Sequence, residues 1–169
     1  MASIIKVDTI QTAAGGTPTA ADLGLNTTGS VLQVVSYTFG TTVSATNADV
    51  HTHITEKAFT PLNATSNILI LMSAGGVVNG GSGRMALRLY RDSVSGGVTG
   101  TKLGEQQVAQ DSNETNGISH ANINGFISNV GSTDTIYFKY TIQKYDGSTT
   151  WQVNWDQSYT QMTIIEIAG

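Results

Sequence analysis

Apolar and polar residues alternate with a period of two through most of this chain, and the 3.6-residue period of an amphipathic helix is nearly absent. Between Arg84 and Arg91, Met85, Leu87 and Leu89 share one face, while Arg84, Ala86, Arg88 and Tyr90 share the other. That pattern describes a half-buried antiparallel strand. The same logic puts Ile136, Phe138, Tyr140 and Ile142 on one side of a second strand, and makes Trp151, Val153 and Trp155 inward-facing in a third. Tyr145-Asp146-Gly147-Ser148 lies between those two runs and carries an Asp-Gly hairpin signal, which predicts that they pair. Further strands are expected at Val31 to Thr38, around Ala58, and at Asn67 to Ser73, Gln106 to Gln110, Ile118 to Ser128 and Gln161 to Ile167. Ile68 to Met72 is almost continuously apolar, as a strand buried on both faces or facing a partner subunit would be. Gln161 to Ile167 is apolar nearly to its end and is expected at the centre of a sheet, because an exposed apolar edge invites aggregation. Short strands separated by Gly, Asn, Asp and Ser clusters, with no recurring unit, predict an all-β antiparallel β-sandwich, jelly-roll-like, over residues 31–169.

Length and charge narrow the function. A chain of 169 residues suits one core and a short extension. Only 12% of residues are charged, against roughly 25% in an average soluble domain, so the surface is largely neutral. Such a surface is either covered by other chains or kept soluble by amides and hydroxyls. A net charge of -4 with scattered lysines argues against nucleic acid, which demands clustered cations; Arg84, Arg88 and Arg91 read as polar positions of a strand and its following turn. No run of about 18 apolar residues is present, and the start lacks the pattern of a secretion signal, so neither membrane insertion nor conventional secretion is expected. With no cysteine, stability is expected from packing and association. Residues 1–30 differ from the rest. Ile4, Ile5, Val7 and Ile10 can form one strand within Ile4 to Gln11, and Ala20 to Leu25 one helical turn. Too little apolar surface is present there to pack alone, so an N-terminal arm that docks on neighbouring chains or another protein is expected.

The opening Ser3-Ile4-Ile5-Lys6-Val7-Asp8-Thr9-Ile10-Gln11-Thr12-Ala13-Ala14-Gly15-Gly16-Thr17 resembles the N-terminal signature of short tail-fibre and virion surface proteins of cyanophages and other marine phages. Gly29 to Val35, Leu87 to Asp92 and Met162 to Ile167 resemble the β-domain strands of the same family. The resemblance implies a non-enzymatic, homotrimeric fibre, spike or decoration protein, made in the host cytoplasm and carried on the surface of the virion. In it the arm would attach to another virion protein of tail or capsid, and the β-sandwich would face solvent or host. The chain lacks long shaft repeats, which favours a compact fibre or spike that binds a host-surface polysaccharide, or a capsid decoration protein that cements the head. A cellular trimeric lectin with a tumour-necrosis-factor-like jelly roll is a weaker alternative, since such a protein normally carries a secretion signal.

Candidate chemistry is sparse. Gly75 to Gly83 is glycine-rich but lacks the Gly-Lys-Ser/Thr ending of a phosphate loop and reads as a flexible loop. The carboxylates are dispersed, whereas a glycosidase needs two facing each other across a cleft. No cofactor is expected, with one candidate exception. On an extended strand His51 and His53 project to the same face, and three chains around an axis would gather six imidazole nitrogens suited to iron or another transition metal; the alternative is a pair of exposed polar histidines. Trp151, Trp155 and Tyr159 are candidate receptor contacts, with Tyr137 and Tyr140, as an aromatic platform for a sugar ring, against the competing expectation of core and inter-subunit packing, in which alternation buries the tryptophans. The loops Asp92 to Gly100, Asp111 to Gly117 and Asp156 to Thr160 are further places for receptor contact.

Overall fold

The computed structural model describes residues 15–16, 28–46, 52–79, 83–97, 99–110, 117–145, 150–154 and 158–169. Ten strands are found there: β1 (Val31–Phe39), β2 (Val43–Ala45), β3 (Thr52–Phe59), β4 (Asn67–Asn79), β5 (Gly83–Asp92), β6 (Thr101–Gln110), β7 (Gly117–Ile127), β8 (Ile136–Lys144), β9 (Trp151–Val153) and β10 (Thr160–Ile167). Every pairing is antiparallel. One sheet runs β1-β10-β4-β9-β2, with β7 on the other side of β4; the second runs β3-β8-β5-β6. β10 pairs with the first half of β4 and β9 with its end, so β9 continues the line of β10 as β2 continues that of β1. Counting each such pair as one interrupted strand leaves eight, ordered 1-8-3-6 in one sheet and 2-7-4-5 in the other. This is the winding of a jelly roll.

The alternation read from the sequence fixes what lies between the sheets. Ile68, Ile70 and Met72 of β4, Met85, Leu87 and Leu89 of β5, Phe138, Tyr140 and Ile142 of β8, and Met162 and Ile164 of β10 are buried in one cluster. β10 is central, flanked by β1 and β4, as its apolar sequence requires.

Three expectations are corrected. β8 and β9 do not form a hairpin: β8 pairs with β3 and β5, and β9 with β2 and β4, so the chain crosses from one sheet to the other between them. An Asp-Gly turn encodes a local reversal, and the burial of Trp151 and Val153 against the opposite sheet outweighs it. The glycine-rich stretch is also no loop at its start, because β4 continues to Asn79. There the register of β4 on β7 shifts between Ala74 and Val77. A Cβ at Gly75 would lie 2.0 Å from the carbonyl oxygen of Tyr159, so only glycine permits this approach. Finally, of the two readings of Ile68 to Met72, burial on both faces does not hold within one chain, which leaves a face open to a partner subunit. Ile68, Ile70 and Met72 point inward, while Leu71 is exposed on the outside.

The two ends of the β-domain meet at one pole. Gly29 N–H donates to the Ala168 carbonyl at 2.8 Å, and Ala168 N–H to that of Ser30 at 2.8 Å. The connection between β3 and β4 joins the same pole, where Val130 and Gly131 N–H groups donate to the Ser66 and Ala64 carbonyls. Ile4, Ile5, Val7 and Ile10 of the expected arm lie outside the described residues.

Candidate interaction surface

Charge is distributed unequally between the two sheets. The six strands of the β1–β10–β4–β7 sheet contain a single Asp, Glu, Lys or Arg, which is Glu166. The four strands of the other sheet contain ten: Glu56, Lys57, Arg84, Arg88, Arg91, Asp92, Lys102, Glu105, Lys139 and Lys144.

Glu166 does not reach the outer surface. It shares the inward face of β10 with Met162 and Ile164 and is fully buried at the end of the sandwich. Its carboxylate accepts from Leu62 N–H at 2.9 Å, Asn63 N–H at 3.0 Å and Gln33 Nε2 at 2.6 Å. Burial alone would push its pKa up, but these donors, led by Leu62 N–H, stabilise the anion and hold it below the usual carboxylate value.

The outer face of this sheet is therefore free of charge, and its register lines up apolar residues across all four strands. Val34 of β1 pairs with Ile165 of β10, Ile165 with Leu69 of β4, and Leu69 with Phe126 of β7. The next row is Ser36, Thr163, Leu71 and Asn124, and the one beyond it Thr38, Gln161, Ser73 and Asn122. Val34 and Phe126 are each 57% exposed and Leu71 40% exposed. Cross-strand neighbours sit about 5 Å apart, so the row spans the whole sheet as one continuous apolar band, bordered by hydroxyls and amides on the Ser36 side and by Val31, Ile167 and Asn67 on the other. Contiguous exposed apolar surface on a soluble domain marks a contact site, whereas scattered apolar residues do not.

The opposite outer face is closed on itself. Arg88 donates to Glu105 at 2.6 Å, to Gln143 at 2.7 Å and to the Tyr145 hydroxyl, and Lys102 reaches Glu105 at 2.9 Å. Lys139, fully buried, donates to Asp92 at 2.8 Å and to the Gly96 carbonyl at 2.6 Å, so the β5–β6 loop is tied down over β8. Glu56 of β3 holds the same loop through Ser95 and Gly96. The Lys102 ammonium, with burial opposing and Arg88 assisting, draws Glu105 down to about 2. Lys139, followed by Thr99, depresses Asp92 even more.

Depressed folded-state values stabilise the fold above the unfolded-state values of about 4 and lose that contribution as pH falls through the folded ones. The thermal midpoint, followed by circular dichroism, is thus expected to be flat from about pH 7 to 5 and to drop between about pH 4.5 and 2. An unchanged midpoint at about pH 2.5 would contradict these ion pairs.

The residues singled out from the sequence are dispersed. Trp151 is 1% exposed and belongs to the core cluster, so it is withdrawn as a receptor contact: the period that made it inward-facing leaves no ring face for a sugar. Tyr159 is 56% exposed and lies over Gly40, where a Cβ would come within 2.8 Å of its ring. No shared platform joins these two rings, and Trp155 lies outside the described residues. His53 is half-buried in β3 opposite Thr141, with its Nε2 buried and without a hydrogen-bond partner among the described residues; His51 lies outside them. Among the described residues no group of three or more His, Cys, Asp or Glu could hold a metal ion. Of the three receptor loops, residues 111–116 and 156–157 are outside the described residues, and the loop after Asp92 is anchored as above. Sequence reasoning singled out Ile68 to Met72 and the end of β10 as apolar surface for a partner subunit but not the row itself, which is written one residue per strand; only register assembles it.

No protein-family model and no curated protein matches the chain. Among solved structures it is similar to one described as the structure of infectious bursal disease virus Gx strain, with a TM-score of 0.38 and 16% identity. The match covers 83% of this chain and 33% of that one, so the chain spans about a third of its length. A likeness at that level carries no argument about function.

Proposed function

We propose that this chain is a structural protein of a bacteriophage particle. Three copies would associate through the charge-free sheet face, residues 1–30 would attach the trimer to another virion protein, and the jelly roll would serve as a short tail fibre or spike that meets host-surface polysaccharide. The observation that carries the reading is the row Val34–Ile165–Leu69–Phe126 on a face without charge. Copies that each bear a net charge of -4 repel one another least where neither presents a charge, and the exposed apolar band gains by leaving water. The phage assignment comes from the resemblance of Ser3 to Thr17 and of the later strands to virion surface proteins. Catalysis forms no part of this role.

The oligomeric half is tested by light scattering on the full chain. A mass of three 17.7-kDa chains is expected. The double variant Leu69→Lys/Phe126→Lys, altered only on the outer face, should keep its circular dichroism and weaken association by on the order of a thousandfold, since central interface residues contribute about 2 kcal/mol or more each. A wild-type monomer would sink this half. The virion half is tested by cryo-electron microscopy of intact particles: a few trimers on the tail support a fibre or spike, while density spread over the capsid lattice overturns it in favour of a decoration protein.

A further inference from the structure

The inward row of β5, Met85, Leu87 and Leu89, is completely buried, and its next member is a cation. Arg91 pairs in register with Phe138, itself in the core, and so occupies a core-facing position at the point where the sandwich ends. A cleft of about 310 Å³ opens there, lined by Arg91 and the base of the β5–β6 hairpin on one side and by residues 130–136 on the other. Its size is at the low end for small-ligand sites, with room for one ring more than for an extended segment.

Arg88, Lys102 and Lys139 each meet a carboxylate, and Lys57 lies over the Tyr37 and Phe39 rings. The side chain of half-buried Arg91 has no hydrogen-bond or ion-pair partner among the described residues. Asp92 beside it is unavailable to it: one oxygen accepts from the Ser93 and Val94 N–H groups and the other from Lys139 and Thr99. The cleft thus holds a planar fork of donors that suits a carboxylate, and no acidic group among the described residues is bonded to it. Around the fork lie the hydroxyls of Ser93, Thr101, Ser132 and Thr135, with Val130 and Ile136 supplying apolar wall. Asp134 at the rim accepts from Ser132 through one oxygen and keeps the other as an acceptor.

The geometry points to this cleft as a binding site for a carboxylate-bearing sugar, one uronic acid residue of an acidic polysaccharide. Arg91 clamps the carboxylate, Asp134 and the hydroxyls match the ring hydroxyls, and Val130 and Ile136 face its C–H edge. An acidic peptide side chain offers the carboxylate but no hydroxyls to match the lining. The inference rests on the polysaccharide part of the proposed function for the source of its ligand, and needs neither the trimer nor the virion.

The test is isothermal titration calorimetry of the full chain with trigalacturonate, maltotriose and triglutamate, on wild type, Arg91→Gln and Arg91→Lys. Trigalacturonate alone is expected to bind, at least tenfold more weakly to Arg91→Gln and at an intermediate level to Arg91→Lys, with unfolding midpoints unchanged. Equal binding of maltotriose would remove the carboxylate clamp, and equal binding of triglutamate would make the ligand a peptide. No binding of trigalacturonate, or undiminished binding by Arg91→Gln, would overturn the site while leaving a trimer measured by light scattering intact.

Discussion

Trp151→Ala is expected to lower the unfolding free energy by about 3–5 kcal/mol, the usual loss for deleting a buried tryptophan. The ring is 1% exposed in the core cluster, and its strand is only three residues long, paired with β2 on one side and the end of β4 on the other. So short a strand has few ladder hydrogen bonds, and side-chain packing holds it in place. Urea denaturation should show a lower midpoint with an unchanged slope. If the variant kept full stability and lost only binding to a glycan, the ring would have to be a contact residue after all, and its placement in the core would be wrong.

Glu166→Ala is expected to cost about 2–4 kcal/mol. The substitution removes the acceptor for two backbone N–H groups of the β3–β4 connection and for Gln33, and leaves a void among inward-facing residues of β10. Glu166→Gln keeps one acceptor oxygen and most of the volume, so its loss should be about half as large. It should also lack part of the acid-dependent fall in stability, because the residue no longer titrates. Equal stability of the alanine variant and wild type at neutral pH would mean that the connection is not held by this carboxylate.

How much of this was legible in advance depends on whether the determining interaction is local. The alternation of Met85, Leu87 and Leu89, and of Phe138, Tyr140 and Ile142, named both the strands and their inward faces, because the two-residue period is a property of each segment alone. β2 was invisible: three residues are too few for a period, and its order comes from β9. Pairing of β8 with β9 was misread since a turn signal reports a reversal and says nothing about which sheet the chain enters next. The candidate surface was legible only in outline. Its strands could be seen to be poor in charge, but Val34, Ile165, Leu69 and Phe126 are separated by up to 131 positions, and nothing in one sequence states their register. Arg91 looked like an ordinary polar residue at a strand end; its interest lies in the carboxylate that Arg88, Lys102 and Lys139 each meet and that it lacks among the described residues.

The meeting of the domain's two ends at one pole has a mechanical consequence. β1 enters beside residue 168 and lies antiparallel to β10 over eight paired positions, from Val31–Ile167 to Phe39–Thr160. A tether pulling on residue 30 away from the domain draws β1 along its own axis, so the load falls on the whole ladder in shear and not on one bond after another. β10 cannot follow easily, since β4 grips its other edge from Asn67 to Ser73. Pulled apart through residues 30 and 168 together, the same ladder would unzip from its end. The domain thus resists a load applied through residue 30 alone far better than one applied through residues 30 and 168 together.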